Sequence, residues 1–162
     1  MNVCLIGDGL ISLTLAKTLI NKKIKVFMYY ENRRKSLNNN RTIGISSDNL
    51  DFIKKQIIKI NKNLIWEINK IEIYKDQNTE EKILNFQKKN NQLFSIIKNN
   101  NLYKLLIDSL KKNNKFKKIK IKNKSFYSKI LNTKKFDLII NCDGNNEISK
   151  KYFYQKIIKD YV

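Results

Sequence analysis

Apolar positions run along this chain in two rhythms, and each predicts its own kind of element. Asn2–Ile6 is a short apolar run that breaks at Gly7-Asp8-Gly9, as a strand does before a turn. Leu10–Asn21 follows as a helix, and Lys25–Tyr30 is a second strand. A polar loop is expected over Asn32–Asn40. Beyond Arg41–Ser46, spacing predicts an amphipathic helix from about Asp48 to Ile60, with Ser47 and Asp48 as suitable caps. Ile68–Tyr74, Lys82–Gln87 and Gln92–Ile97 carry β-branched and aromatic residues between polar segments, so they read as strands. Leu102, Leu105, Leu106, Ser109 and Leu110 then form a helical stripe. Phe116–Ile121 and Phe126–Leu131 are expected to pair as a hairpin, although their alternation is imperfect. Phe136–Asn141 is apolar on both faces, which suits the middle of a covered parallel sheet, and it runs into Cys142-Asp143-Gly144. The pattern is α/β with an inserted, mostly antiparallel section.

Composition narrows the chemistry. At 162 residues and 41% hydrophobic content, the chain holds one domain, or a domain and part of another. No apolar run approaches the roughly 18 residues of a membrane span. Val3–Ile6 is short and lacks a preceding basic flank, so no secretory signal is expected. The expected location is the cytoplasm, with peripheral association on the cytosolic membrane face left open. The chain has no His, and its two Cys (Cys4 and Cys142) form no CxxC pair. Histidine-based catalysis is excluded, a metal site is not expected, and both Cys are expected to be buried thiols. The net charge of +20 resembles a nucleic-acid signature, but only Arg33, Arg34 and Arg41 of the 34 basic residues are Arg. The lysines are dispersed among abundant Asn and Ile with no Pro, a bias that A/T-rich codons explain. Nucleic acid is therefore not an expected partner, because such surfaces cluster their charge and favour the Arg fork. Attraction to anionic lipid remains open.

The strongest local signal is Gly7-Asp8-Gly9-Leu10-Ile11-Ser12 between an apolar strand and an apolar helix, with a second strand at the right distance. Gly7 suits the tight turn. Gly9 lets a diphosphate approach the backbone at the helix start, where the N–H groups of residues such as Leu10 and Ile11 favour an anion. Ser12 stands where a third small residue allows close helix–strand packing. Glu31, at the end of the second strand, is the candidate acceptor for an adenosine ribose; the bland alternative is a solvated strand-end carboxylate. A dinucleotide is the implied cofactor, on a Rossmann-like FAD/NAD(P)-binding fold.

The opening VCLIGDGLISLTLAKTLINKKIKVFMYYE resembles the start of the class A FAD-dependent aromatic hydroxylases, the ubiquinone-biosynthesis branch in particular. Three further segments follow in that family's order. Arg41-Thr42-Ile43-Gly44-Ile45-Ser46 resembles its RALALS segment. Ile96-Ile97-Lys98-Asn99-Asn100-Asn101-Leu102, with Leu105 and Leu106, resembles its VVENRxLxxxL helix opening. Asp137-Leu138-Ile139-Ile140-Asn141-Cys142-Asp143-Gly144 resembles its DLVVGADG segment. The resemblance implies that Gly7 and Gly9 hold the FAD diphosphate and that Arg41 lies beside the flavin. It also implies that Asp143-Gly144 closes over the phosphates, a motif tied in the family to the reduced nicotinamide donor.

Some positions depart from the pattern. In an ungapped register the family's ribose-binding acid falls on Tyr30, one place before Glu31. Family arginines fall near Asn100 and Lys150. Residues 1–162 are expected to be an incomplete FAD-binding domain, with 68–98 as inserted substrate-domain strands. The activity implied is an FAD-dependent monooxygenase that hydroxylates an aromatic ring with NAD(P)H and O2, the substrate being a small, polyprenylated phenol of ubiquinone synthesis. Two alternatives stay open: another flavin- or NAD(P)-dependent oxidoreductase, and a non-catalytic basic binding module. No catalytic base is identifiable, and Tyr29, Tyr30, Phe126, Tyr127 and Tyr152 receive no role.

Overall fold

The computed structural model describes residues 1–31, 41–75, 78–87, 92–123 and 125–153. The expected loop at 32–40 lies outside them. The chain divides into two units, residues 1–34 with 107–162, and residues 35–106.

The first unit is built on a four-stranded parallel sheet. Strand β1 (Asn2–Ile6) pairs with β2 (Lys25–Tyr30) on one side and with β9 (Leu138–Asn141) on the other. Strand β8 (Phe116–Lys120) pairs with β2, giving the order β8-β2-β1-β9. Helix α1 (Leu10–Asn21) crosses from β1 to β2 and lies against both. Its boundaries and those of β1 and β2 agree with the sequence pattern to the residue. Strand alternation divides the sheet's side chains between two faces. On one, Cys4, Ile6, Phe27 and Tyr29 form a core with Phe136, with Tyr127 and Ile130 of helix α4 (Ser125–Leu131), and with Ile148 of helix α5 (Glu147–Tyr152). Aromatic contacts support it, with the edge-on Phe27–Phe136 pair at 5.3 Å between centroids and the tilted Tyr29–Phe126 pair at 4.7 Å. Val3, Leu5, Val26 and Met28 point to the other face, and α1 buries Leu13, Ala16 and Ile20. Leu5, Met28 and Leu13 are wholly buried, each stabilising the fold by roughly 1.5–3 kcal/mol.

Two expectations are corrected here. Residues 125–131 are a helix, not the second arm of a hairpin with Phe116–Ile121. Strand β8 runs parallel to β2, and a parallel strand must be left through a crossover before β9 can form beside β1. Tyr127 and Ile130 then fall on one helical face, which covers the sheet. The second correction concerns β9, which starts at Leu138 and lies at the edge of the sheet. Leu138 is 44% exposed there, and the central positions belong to β1 and β2.

The second unit is antiparallel. Strands β3 (Thr42–Ser46) and β4 (Ile65–Ile68) flank β7 (Phe94–Lys98), while β5 (Lys70–Lys75) and β6 (Asn78–Gln87) form a separate pair. The single strand expected over Ile68–Tyr74 is thus split at Asn69 between two sheets. Helix α2 (Ser47–Phe52) is capped by Ser46, whose hydroxyl accepts the Asn49 N–H, rather than by Ser47 or Asp48. Both of those lie inside the first turn, where the Asp48 charge suits the helix dipole. After α2 the coil widens over Ile53–Ile57, closed by an Ile58 N–H to Ile53 carbonyl bond of 2.9 Å. It ends before the expected Ile60 because Ile58 is extended, a conformation that β-branched residues favour. Helix α3 (Asn99–Lys111) follows β7, with its residues to Leu106 in this unit and those from Ile107 in the first; Leu102, Leu106 and Leu110 of the predicted stripe are buried.

Candidate functional site

Strand β1 delivers the chain to Gly7, which turns with φ +108°, a conformation that L side chains rarely adopt. A Cβ there would also meet Asp143 Cβ at 3.1 Å and the Cys142 carbonyl carbon at 3.3 Å. Backbone and packing both require glycine at this position. Gly9 is different. It caps α1 in an extended conformation (φ −72°, ψ 176°), and a Cβ built on it meets nothing within 4 Å. The protein's own packing gives no reason for glycine at 9, so the bare backbone there leaves room for something else. Helix α1 has no side-chain cap, so its leading N–H groups, including those of Leu10 and Ile11, lack the usual side-chain acceptor.

An open cleft of about 270 Å³ faces this turn, lined by Gly7, Asp8, Gly9, Glu31, Cys142, Asp143, Gly144 and Asn145. It lies where β1, β2 and β9 end. The connections from β1 lead to β2 on one side, while β9 pairs on the other, so this is the sheet's topological switch point. Open α/β sheets bind their ligands at such a crevice. Like Gly9, Gly144 would direct a Cβ into open space.

Glu31, and not Tyr30, lines the cleft. The Tyr127 hydroxyl, reaching up from α4, donates a hydrogen bond to Glu31 Oε1 and orients its carboxylate. Tyr30 instead lies beneath the Lys118 ammonium, 4.2 Å from ring centroid to Nζ. Lys118 also forms an ion pair with Asp8, Nζ to Oδ2 at 3.0 Å.

The Cys142–Asn145 loop is held from behind by a polar network. Asn141 and the wholly buried Asn146 exchange amide hydrogen bonds, with Asn146 Nδ2 donating to Asn141 Oδ1 at 2.6 Å. Asn146 Oδ1 caps α5 by accepting the Ser149 N–H at 2.9 Å, and the Ser149 hydroxyl donates to the Asp143 carbonyl at 2.7 Å. Asp143 Oδ1 accepts the Asn145 N–H at 2.9 Å. Ser12 is fully buried, as a small residue at that step should be. Its hydroxyl opposes the burial that pushes the half-buried Cys142 thiol up.

The structure therefore brings Gly7, Asp8, Gly9, Glu31, Asp143 and Gly144 to one cleft. Leu10 and Ile11 follow in the first helical turn. Arg41 belongs to the other unit, where it is exposed at the start of β3 and its carbonyl accepts the Asn99 N–H at 2.9 Å. Lys150 is exposed on α5 and Asn100 lies in the first turn of α3. Tyr127 and Lys118 had no signal in the sequence, because each acts across the fold, whereas the Asn141–Asn146–Ser149 network is local. The one available hint was Asn146 two residues after Asp143-Gly144, the position of a helix cap.

No family model and no curated protein sequence matches the chain. Solved structures do. PqsL from Pseudomonas aeruginosa, a probable FAD-dependent monooxygenase, aligns with TM-score 0.57 and 12% identity over 74% of this chain and 32% of that one. The p-nitrophenol 4-monooxygenase PnpA from Pseudomonas putida DLL-E4 aligns with TM-score 0.60 and 12% identity, over 73% and 31%. A variant of Klebsiella pneumoniae HpxO complexed with FAD gives TM-score 0.55 and 12% identity, over 73% and 31%. The chain spans about a third of the length of these proteins. At such identities the likeness is one of fold: this chain has the Rossmann-like α/β fold of FAD-binding monooxygenases.

Proposed function

We propose that the chain is the dinucleotide-binding part of an FAD-dependent monooxygenase that hydroxylates an aromatic ring with NAD(P)H and O2. The observation that carries this reading is the switch-point cleft, where Gly9 and Gly144 leave open space beside an uncapped helix start. Structures of the same fold include one that holds FAD and one named as a nitrophenol monooxygenase. The residues present fit the cofactor. The backbone at Gly7 and Gly9, with the N–H groups of Leu10 and Ile11, would hold its diphosphate. Glu31, oriented by Tyr127, would accept the adenosine ribose hydroxyls, and Asp143-Gly144 would border the phosphates. Arg41 is assigned to the flavin side on the family resemblance. When bound, FAD supplies the redox chemistry that couples the reduced nicotinamide to oxygen insertion. The protein's task is to bind, orient and exclude water, and no side chain is assigned as a base.

Within this reading we assign the substrate to the polyprenylated phenols of ubiquinone synthesis, and residues 68–98 to the substrate domain. The sequence resemblance to that branch supports both, and a net charge of +20 would suit cytosolic work at an anionic membrane surface. The test is flavin titration of the purified chain, followed by fluorescence. Wild type is expected to retain FAD. Gly9→Val is expected to fold with unchanged far-UV circular dichroism, since its side chain enters open space, yet to lose FAD by at least about a hundredfold, through loss of close backbone approach. Equal retention by the two proteins would remove the site.

A further inference from the structure

The Gly7–Gly9 turn holds one group at odds with a diphosphate, the Asp8 carboxylate, which is an anion in the lining of the cleft. Lys118 answers it from two strands away. Register sets Lys118 opposite Met28, so its side chain leaves the sheet on the face shared by Met28 and Tyr30. Strands β8, β2 and β1 are consecutive in the sheet, so Lys118 must cross β2 and meet the Asp8 side chain reaching from the turn after β1, the two together closing two strand spacings, about 10 Å. It does so by lying across the Tyr30 ring, 4.2 Å from its centroid, and meeting Asp8 Oδ2 at 3.0 Å. The two side chains are only 22% and 16% exposed, so salt screens the pair poorly. A lysine on the outer strand, stacked on a tyrosine and aimed at the one carboxylate between the two glycines, is an arrangement that a solvated surface charge does not need.

We propose that Lys118 is a positioning residue for the dinucleotide. It acts through Asp8, cancelling that charge beside the diphosphate so that the field at the start of α1 stays attractive. The inference rests on reading the cleft as a dinucleotide site. It adds a determinant from β8 that lies outside the Gly-Asp-Gly motif.

The test is a double-mutant cycle read as binding, with FAD and ADP as probes, on wild type, D8N, K118M and D8N/K118M. K118M is expected to weaken both ligands about tenfold, because the carboxylate is left facing the phosphates without its lysine. D8N is expected to bind a few-fold tighter than wild type. The double variant should return to within about threefold of D8N, since the lysine's effect on binding runs through that carboxylate. K118Q, which keeps the side chain over Tyr30, replaces K118M if the latter melts early. Wild-type affinity in K118M or K118Q overturns the inference. So does a loss that persists in the double variant, which would make the lysine a mere prop for β8. A wild-type chain that binds neither FAD nor ADP overturns the cofactor reading itself, and this inference with it.

Discussion

Cys4 and Cys142 show how burial divides two residues of one type. Cys4 lies wholly buried in β1, where desolvation pushes its thiol up to about 12, with Lys135 opposing the shift. Cys142 sits half-buried at the cleft, and burial pushes its thiol up too, against the Ser12 hydroxyl. A folded-state value raised above 9.0 means that folding favours the neutral thiol. That contribution is complete below about pH 9 and is lost as pH rises towards 12. Iodoacetamide at pH 8 is therefore expected to modify Cys142 first and to spare Cys4 until the protein unfolds, with mass spectrometry as the readout. FAD should slow the Cys142 reaction. Modification of Cys4 at the rate of Cys142 would contradict the assigned burial. At this scale the sequence exposed the glycines and Glu31, because a turn and a strand end are local. It exposed neither Tyr127 nor Lys118, whose partners lie 96 and 110 residues away.

Among elements, the first strand–helix–strand was legible to the residue because one rhythm gives way to another at punctuating glycines. The β5–β6 pair was legible as strands but not as a separate sheet. Its two faces explain its form: Ile71, Ile73, Leu84 and Phe86 share one side, and Glu72 on the other is gripped by Lys70, at 2.8 Å, and by Lys82. The hydrogen bonds from Lys70 and then Lys82 hold the Glu72 carboxyl down to about 2. A depressed carboxylate contributes stability above its ordinary value of 4.5 and loses it as pH falls through about 2. The protection factors of the β5 and β6 amides, measured by NMR against the intrinsic exchange rate at each pH, are expected to fall progressively over that window. Glu72→Gln should flatten this pH dependence, and a wild-type hairpin equally protected at both ends of the window would show that the ion pairs do not support it. The misread helix over 125–131 has the opposite origin. Its aromatic and β-branched residues suit a strand locally, and only the need to carry the chain from β8 to a parallel β9 makes it helical.

For the whole molecule, a net charge of +20 on 162 residues sets up a self-repulsion that salt relieves. Shortening the Debye length from about 10 Å at 0.1 M to about 3 Å at 1 M is expected to raise the melting temperature, measured by circular dichroism. A falling Tm over that range would mean that exposed ion pairs such as Lys75–Glu81 outweigh the repulsion. The amino-acid pattern alone determined the α/β class, the strand–turn–helix with its glycines, and the presence of an antiparallel section, because those depend on neighbours a few positions apart. Tertiary structure decided that β9 lies at the edge and that residues 125–131 form a helix. It also placed Lys118 beside Asp8 and Tyr127 beside Glu31, two of the three cleft carboxylates. Those outcomes depend on which distant strands pair and in what register, and a contact made across the sheet leaves no periodic trace in the chain.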